Sequence, residues 1–166
     1  MDFATRYDFL KTAIARYDSY YNLAAVKASL LLTSNAIFLA PALGEKGLLL
    51  GVVAAGGATR ALIIAAAMAS LLSMAFAAMV IASFLSGRRI HFFERPSLAF
   101  SESVAATPVD AYVQGIAALG EEEAIADLSR LAHLLASSLA GKFRYLNLSL
   151  AALVVAILCA FAAILA

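Results

Sequence analysis

Charged positions divide the chain before anything else does. Residues 28–44, 61–86 and 148–166 contain no charged side chain, whereas Asp, Glu, Lys and Arg concentrate in residues 1–27 and 87–144. At 1.5 Å of helix rise per residue the second charge-free run is roughly 39 Å long and the third roughly 28 Å, against a hydrocarbon core of about 30 Å. The first reaches that length when it starts about a turn earlier and takes in Lys27, whose aliphatic stem carries the ammonium back to the interface. These runs predict three transmembrane helices. Leu48–Thr59 is also apolar, but it carries Gly51, Gly56 and Gly57, and as helix it would cover only about 18 Å. It is expected as an outer loop or re-entrant segment near 45–60, and a fourth span there is the alternative topology.

The charged segments have their own periodicity. Phe3, Tyr7, Leu10, Ile14, Tyr17 and Tyr21 recur at alternating steps of four and three, which places an aromatic-rich seam on one side of a helix that can continue into the first span. Ile125, Leu128, Ala132, Leu135 and Leu139 repeat the spacing. Glu121, Glu122 and Glu123 follow Gly120 and suit a helix N-terminus, so the last span is expected to begin as a helix outside the membrane. Thr107-Pro108 predicts a cap and first-turn proline opening a short helix that Gly120 stops, with Arg95-Pro96 and Ser101–Thr107 as linker. The expected fold class is an all-α integral membrane protein with three transmembrane helices, four being possible. A small cytoplasmic helical bundle is built from the long helices that continue out of the first and last spans. Along the chain this gives a cytoplasmic amphipathic helix over 1–27, two transmembrane helices over 28–86, a cytoplasmic helical region over 87–147 and a C-terminal transmembrane helix over 148–166. Such a bundle is marginal by itself, so a homo-oligomer or the membrane is expected to supply burial.

Composition sharpens this picture. The chain is 64% apolar and 14% charged with a mean hydropathy of +0.92, while soluble domains run near half apolar and a quarter charged. A net charge of +1 provides no concentrated excess of Lys and Arg, so DNA and RNA are not expected partners. The single cysteine, Cys159, lies in an apolar run and supports neither a disulfide framework nor a cysteine metal site; it is expected to pack as a small hydrophobe. The start of the chain lacks the pattern of a cleaved signal peptide, so the first span is expected to insert uncleaved. Lys and Arg are richer before the first span and between the last two (Arg6, Lys11, Arg16, Lys27; Arg88, Arg89, Arg95, Arg130, Lys142, Arg144) than in the 45–60 loop, which has Lys46 and Arg60. The positive-inside bias then puts the N-terminus and 87–147 in the cytoplasm and the C-terminus on the far face.

No catalytic or phosphate-loop motif is present, and His91 and His133 are expected to be surface or packing residues, so neither catalysis, a metal nor a cofactor is expected. The informative polar residues gather at the inner ends of the spans: Lys27, then Arg88-Arg89-Ile90-His91-Phe92-Phe93, then Lys142-Phe143-Arg144-Tyr145. One reading is a band that binds lipid phosphates and sets orientation. The other is a pocket formed where the helix ends meet, in which Lys27, Arg88, Arg89, His91, Lys142, Arg144 and Tyr145 bind a phosphorylated ring compound, guanidinium on phosphate and aromatic ring on base. Inside the second span, Ala61, Ala65, Ala69, Ser73 and Ala77 form a small-residue stripe at steps of four and are expected to be a packing face. Thr33, Ser34 and Asn35 are polar at mid-depth; Asn35 is expected either to hydrogen-bond between helices or to line a wet path.

Taken together, Tyr20-Tyr21-Asn22-Leu23-Ala24-Ala25-Val26-Lys27-Ala28 running into a span with Asn35, Phe92-Phe93 after the second span, Tyr112 in the short helix, and Lys142-Phe143-Arg144-Tyr145-Leu146 leading into the last span resemble the Pycsar transmembrane effectors. These are small bacterial membrane proteins of anti-phage defence. The likeness is one of order and spacing over nearly the whole chain, and it departs from the family at Ala25, where an acidic residue often stands. It implies a cyclic pyrimidine nucleotide signal, cCMP or cUMP, and a response that impairs the bacterial inner membrane. The competing expectation is a structural or accessory membrane subunit that binds a partner helix through its heptad-like seams.

Overall fold

The structure, a computed structural model, describes residues 1–43, 56–82 and 97–165. Among these, every regular element is a helix and there is no strand. We number the helices α1 (Phe3–Leu43), α2 (Gly57–Ile81), α3 (Ser101–Ala106), α4 (Val109–Ala117) and α5 (Glu121–Leu165). Three of them, α1, α2 and α5, are long and apolar enough to cross a membrane, and the protein is an all-α membrane protein. The possible fourth span lies mostly on 44–55, outside the described residues; Gly57–Thr59 instead form the first turn of α2, so Arg60 is helical. The described residues divide into two units, one drawn from Met1–Asn22 and Ser83–Ala140, the other from Leu23–Ala82 and Gly141–Ala166. Helices α1 and α5 each contribute to both.

The spanning unit is a three-helix bundle held on heptad seams. Ala24, Ala28, Leu31 and Asn35 of α1 face Ala66, Ser70, Ser73, Ala77 and Val80 of α2 and Lys142, Leu146, Ser149, Leu153 and Ala156 of α5, each series stepping by three and four and each residue buried or half-buried. Ala24, Ala28, Ala77, Val80 and Leu146 form one core cluster, with Leu31, Leu32, Phe143 and Tyr145 packed on it. In lipid there is no hydrophobic drive between helices, and small residues let the backbones approach closely enough for van der Waals packing. Among the side chains left outside are Leu30, Ile37, Met68, Leu71, Val154, Leu158 and Phe161, as the hydrocarbon requires. Because Ala28 packs beside Ala77 and Val80 while Asn35 bonds Ser70 and Ser73, α2 runs antiparallel to α1; Ser149 on Ser73 makes it antiparallel to α5 as well.

The expected four-step stripe on α2 is corrected by this register. Ala61 and Ala65 are exposed and Ala69 only half-buried, so of that stripe Ser73 and Ala77 alone are on the buried seam. Each four-residue step overshoots a turn by about 40°, so a strict four-step row winds off any straight contact line within a few turns.

In the other unit, Phe3, Leu10, Ile14, Tyr17 and Tyr21 of α1 are half-buried, and Ile125, Ala132 and Leu139 of α5 are buried. Tyr7 departs from the seam: it is exposed and stacks on Phe3, ring centroids 6.1 Å apart. Arg6 takes the inward place and forks Glu122 at 3.1 and 3.4 Å. The linker expected over Ser101–Thr107 is largely the helix α3. Its approach is fixed from a distance, since the Asp127 carboxylate accepts the amides of Leu98 and Ala99 at 2.9 and 3.1 Å and the Ser97 hydroxyl accepts those of Ala99 and Phe100. Thr107 does not cap α4; its hydroxyl turns back to the Ser103 carbonyl, and Pro108 occupies the N-cap.

Candidate functional site

The spanning unit buries a polar cluster at the depth of one heptad below the Ala28 layer. Asn35 is fully buried. Its amide nitrogen donates to the Leu31 carbonyl at 2.8 Å and to Ser73 Oγ at 2.9 Å, while its oxygen accepts the Ser70 hydroxyl at 2.7 Å. Ser73 donates to the Ser149 carbonyl at 2.8 Å, and Ser149 returns a bond to the Ser73 carbonyl at 2.9 Å. Four side chains thus join three helices, and every polar group of Asn35 is satisfied. Of the alternatives for Asn35, the interhelical hydrogen bond is the one found. Thr33 and Ser34 face outward and donate to the carbonyls of Ser29 and Leu30, which is how a hydroxyl stays satisfied against lipid.

About two turns along, two of the sequence-predicted site residues meet the last turns of α2. Lys142 donates from Nζ to the Val80 carbonyl, placing a cation where the helix dipole leaves its carbonyl end negative. Tyr145 stacks on Phe76, ring centroids 6.3 Å apart. Lys27 and Arg144 are exposed. Arg88, Arg89 and His91 lie outside the described residues. The structure therefore brings Lys142 and Tyr145 together on α2 and leaves Lys27 and Arg144 on the surface.

Sequence reasoning picked out Asn35 but missed Ser70 and Ser149 as its companions. The signal was there in the register: Ser70 and Ser73 stand three apart and Ser149 stands seven after Lys142, all on heptad positions inside charge-free runs.

In the other unit a groove of about 730 Å³ runs along α1, lined by Met1, Thr5, Asp8, Phe9, Thr12, Ala13, Arg16, Tyr17 and Tyr20. It is an open surface whose lining stands on the one helix, and that lining mixes a carboxylate, a guanidinium, hydroxyls and aromatic rings. Near its end, Asp2 caps the helix by accepting the Thr5 amide at 3.2 Å; bonds from the Thr5 hydroxyl and amide hold its carboxyl below the ordinary range.

Among the described residues there is no cluster of His, Cys, Asp and Glu able to hold a metal ion. A family model described as the Pycsar effector protein domain matches residues 9–166. No curated protein and no solved structure matches the chain.

Proposed function

The chain belongs to the Pycsar effector family, a membrane arm of anti-phage defence, and from that premise we propose that a cyclic pyrimidine nucleotide, cCMP or cUMP, activates it to impair the bacterial inner membrane. The observation that carries this reading is the Asn35–Ser70–Ser73–Ser149 cluster. Four interhelical hydrogen bonds cross it. Bonds of this kind in a bilayer contribute about 0.6 kcal/mol each on average and up to roughly 2, so the cluster as a whole is worth a few kcal/mol. A ligand needs about 5.5 kcal/mol of differential affinity to carry a two-state equilibrium from 1:99 to 99:1. The latch is therefore strong enough to favour a closed bundle and weak enough for a bound nucleotide to overcome. Once the helices part, the same amide and hydroxyls are presented to the gap, where water can satisfy them. A seam of Leu and Ala would offer no such polar lining.

On this reading Lys142 and Tyr145 hold the end of α2, and the exposed Lys27 and Arg144 sit at lipid phosphates. The decisive measurement is dye release from liposomes containing the purified protein. Release on addition of cCMP or cUMP, and not of the noncyclic monophosphates, is the expected result; vesicles that stay tight under both cyclic nucleotides refute the proposal.

A further inference from the structure

The groove along α1 pairs opposite chemistries at a spacing set by the helix. Asp8 and Arg16 are separated by two four-residue steps, about 12 Å of rise, with Thr12 midway and all three lining the same cavity. Phe9 flanks Asp8 and Tyr20 flanks Arg16; both rings are largely exposed, at 66% and 48%. Large aromatic surface left open beside a carboxylate and a guanidinium gives this open helix face the composition of a recognition site, a few polar groups among aromatic rings.

We propose that this groove seats a pyrimidine 3′,5′-cyclic nucleotide with its phosphate at Arg16 and its base at Asp8, and that Asp8 selects cytosine over uracil. The inference rests on the nucleotide-activation reading above and deepens it. The single negative charge of a cyclic phosphodiester has two free oxygens in one plane, which a guanidinium forks with two parallel N–H bonds; the Tyr20 hydroxyl can donate beside it. At the other end the Asp8 carboxylate is an acceptor only. At C4 cytosine presents an exocyclic amino donor and uracil a carbonyl oxygen. With Asp8 opposite C4, one base gains a charge-assisted bond and the other meets acceptor against acceptor, the uracil N3–H lying one ring atom further in. Phe9 offers a face on which either base stacks. Thr12, both donor and acceptor, lies at the level of the sugar hydroxyl. Specificity then comes from rejection at one atom more than from added contact.

The test is calorimetric titration of the full-length protein in detergent micelles with cCMP and cUMP, with helicity monitored in each variant. Wild type should bind cCMP at least tenfold tighter than cUMP. Arg16→Met should weaken both by tenfold or more, the worth of a charge-assisted pair. Asp8→Asn, which adds a donor able to meet the uracil carbonyl, should bring the cCMP-to-cUMP ratio down to about one without abolishing binding, an effect that loss of fold does not mimic. Arg144→Ala should leave both affinities unchanged. Unchanged binding in Arg16→Met overturns the groove while leaving nucleotide activation intact, and loss confined to Arg144→Ala moves the seat to the membrane end of α5. No binding of either nucleotide to wild type removes the activation reading and this one with it.

Discussion

Asn35 is the residue that ties the first span to the second. An amide at that depth has nowhere to go but protein, and here it is bound by two serines of α2 and by its own helix backbone. Replacing it by Ala leaves Ser70 without its acceptor and Ser73 without its donor. Serines can retreat to their own preceding-turn carbonyls, which limits the loss to about 1–2 kcal/mol. That still moves the closed-to-open ratio by roughly five- to thirtyfold. Liposomes carrying Asn35→Ala should therefore leak dye without nucleotide, while Ser34→Ala, a neighbour bonded only within its own helix, should stay tight. Equal tightness of the two variants excludes the latch. The amide was conspicuous in the sequence because a polar group in a charge-free run stands out. Its serine partners were not, since an isolated Ser in a helix is satisfied by its own turn and only the contact register between helices says otherwise.

At the scale of elements, periodicity carried the long helices and missed α3, while α4 was found from the Pro108 and Gly120 that bracket it. The seam through Phe3, Leu10, Ile14, Tyr17 and Tyr21, broken at Tyr7, keeps its period into Ala24, Ala28 and Asn35, and that of α5 runs from Ile125 to Ala156, because one contact line repeated over many turns leaves the same signature in water and in lipid. Helix α3 has six residues, too few to show a period. Its geometry is set by Asp127, twenty-eight and twenty-nine residues away in the chain, a contact no local pattern reports. Asp127→Ala should strand the Leu98 amide, while Ala99 keeps the Ser97 hydroxyl, and destabilise this unit by about 1–3 kcal/mol, the cost of losing one partner of a part-buried bond. Hydrogen exchange should speed up over residues 97–119 and remain as in wild type over 61–80. Asp127→Asn keeps an acceptor oxygen and should recover most of the protection; if Ala and Asn behave alike, the carboxylate is not what fixes the turn.

For the molecule as a whole, three spans place two crossings between residues 1–27 and 87–147, which puts both segments on one side of the bilayer, whereas a further crossing at 45–60 would put them on opposite sides. The sequence made the spans legible because hydrocarbon tolerates no charged interruption. The side is an expectation from Lys and Arg, which are sparse around 45–60 and plentiful elsewhere outside the runs, because basic residues in short flanks stay in the cytoplasm. On the proposed reading, a nucleotide made inside the cell reaches the α1 groove only in that orientation. The single cysteine makes this measurable. In a Cys159→Ser background, Asp18→Cys and Glu121→Cys should resist a membrane-impermeant maleimide in intact cells and react once the inner membrane is opened, whereas Gly56→Cys, at the start of α2, should react in cells whose outer membrane alone has been permeabilised. Asp18 and Glu121 are exposed, so protection of those positions reports the membrane and not burial. The reverse labelling pattern would put the groove outside the cell, beyond any cytoplasmic signal. Matching reactivity of Asp18→Cys and Gly56→Cys would leave no room for an odd number of crossings between them and would undo the three-span topology itself.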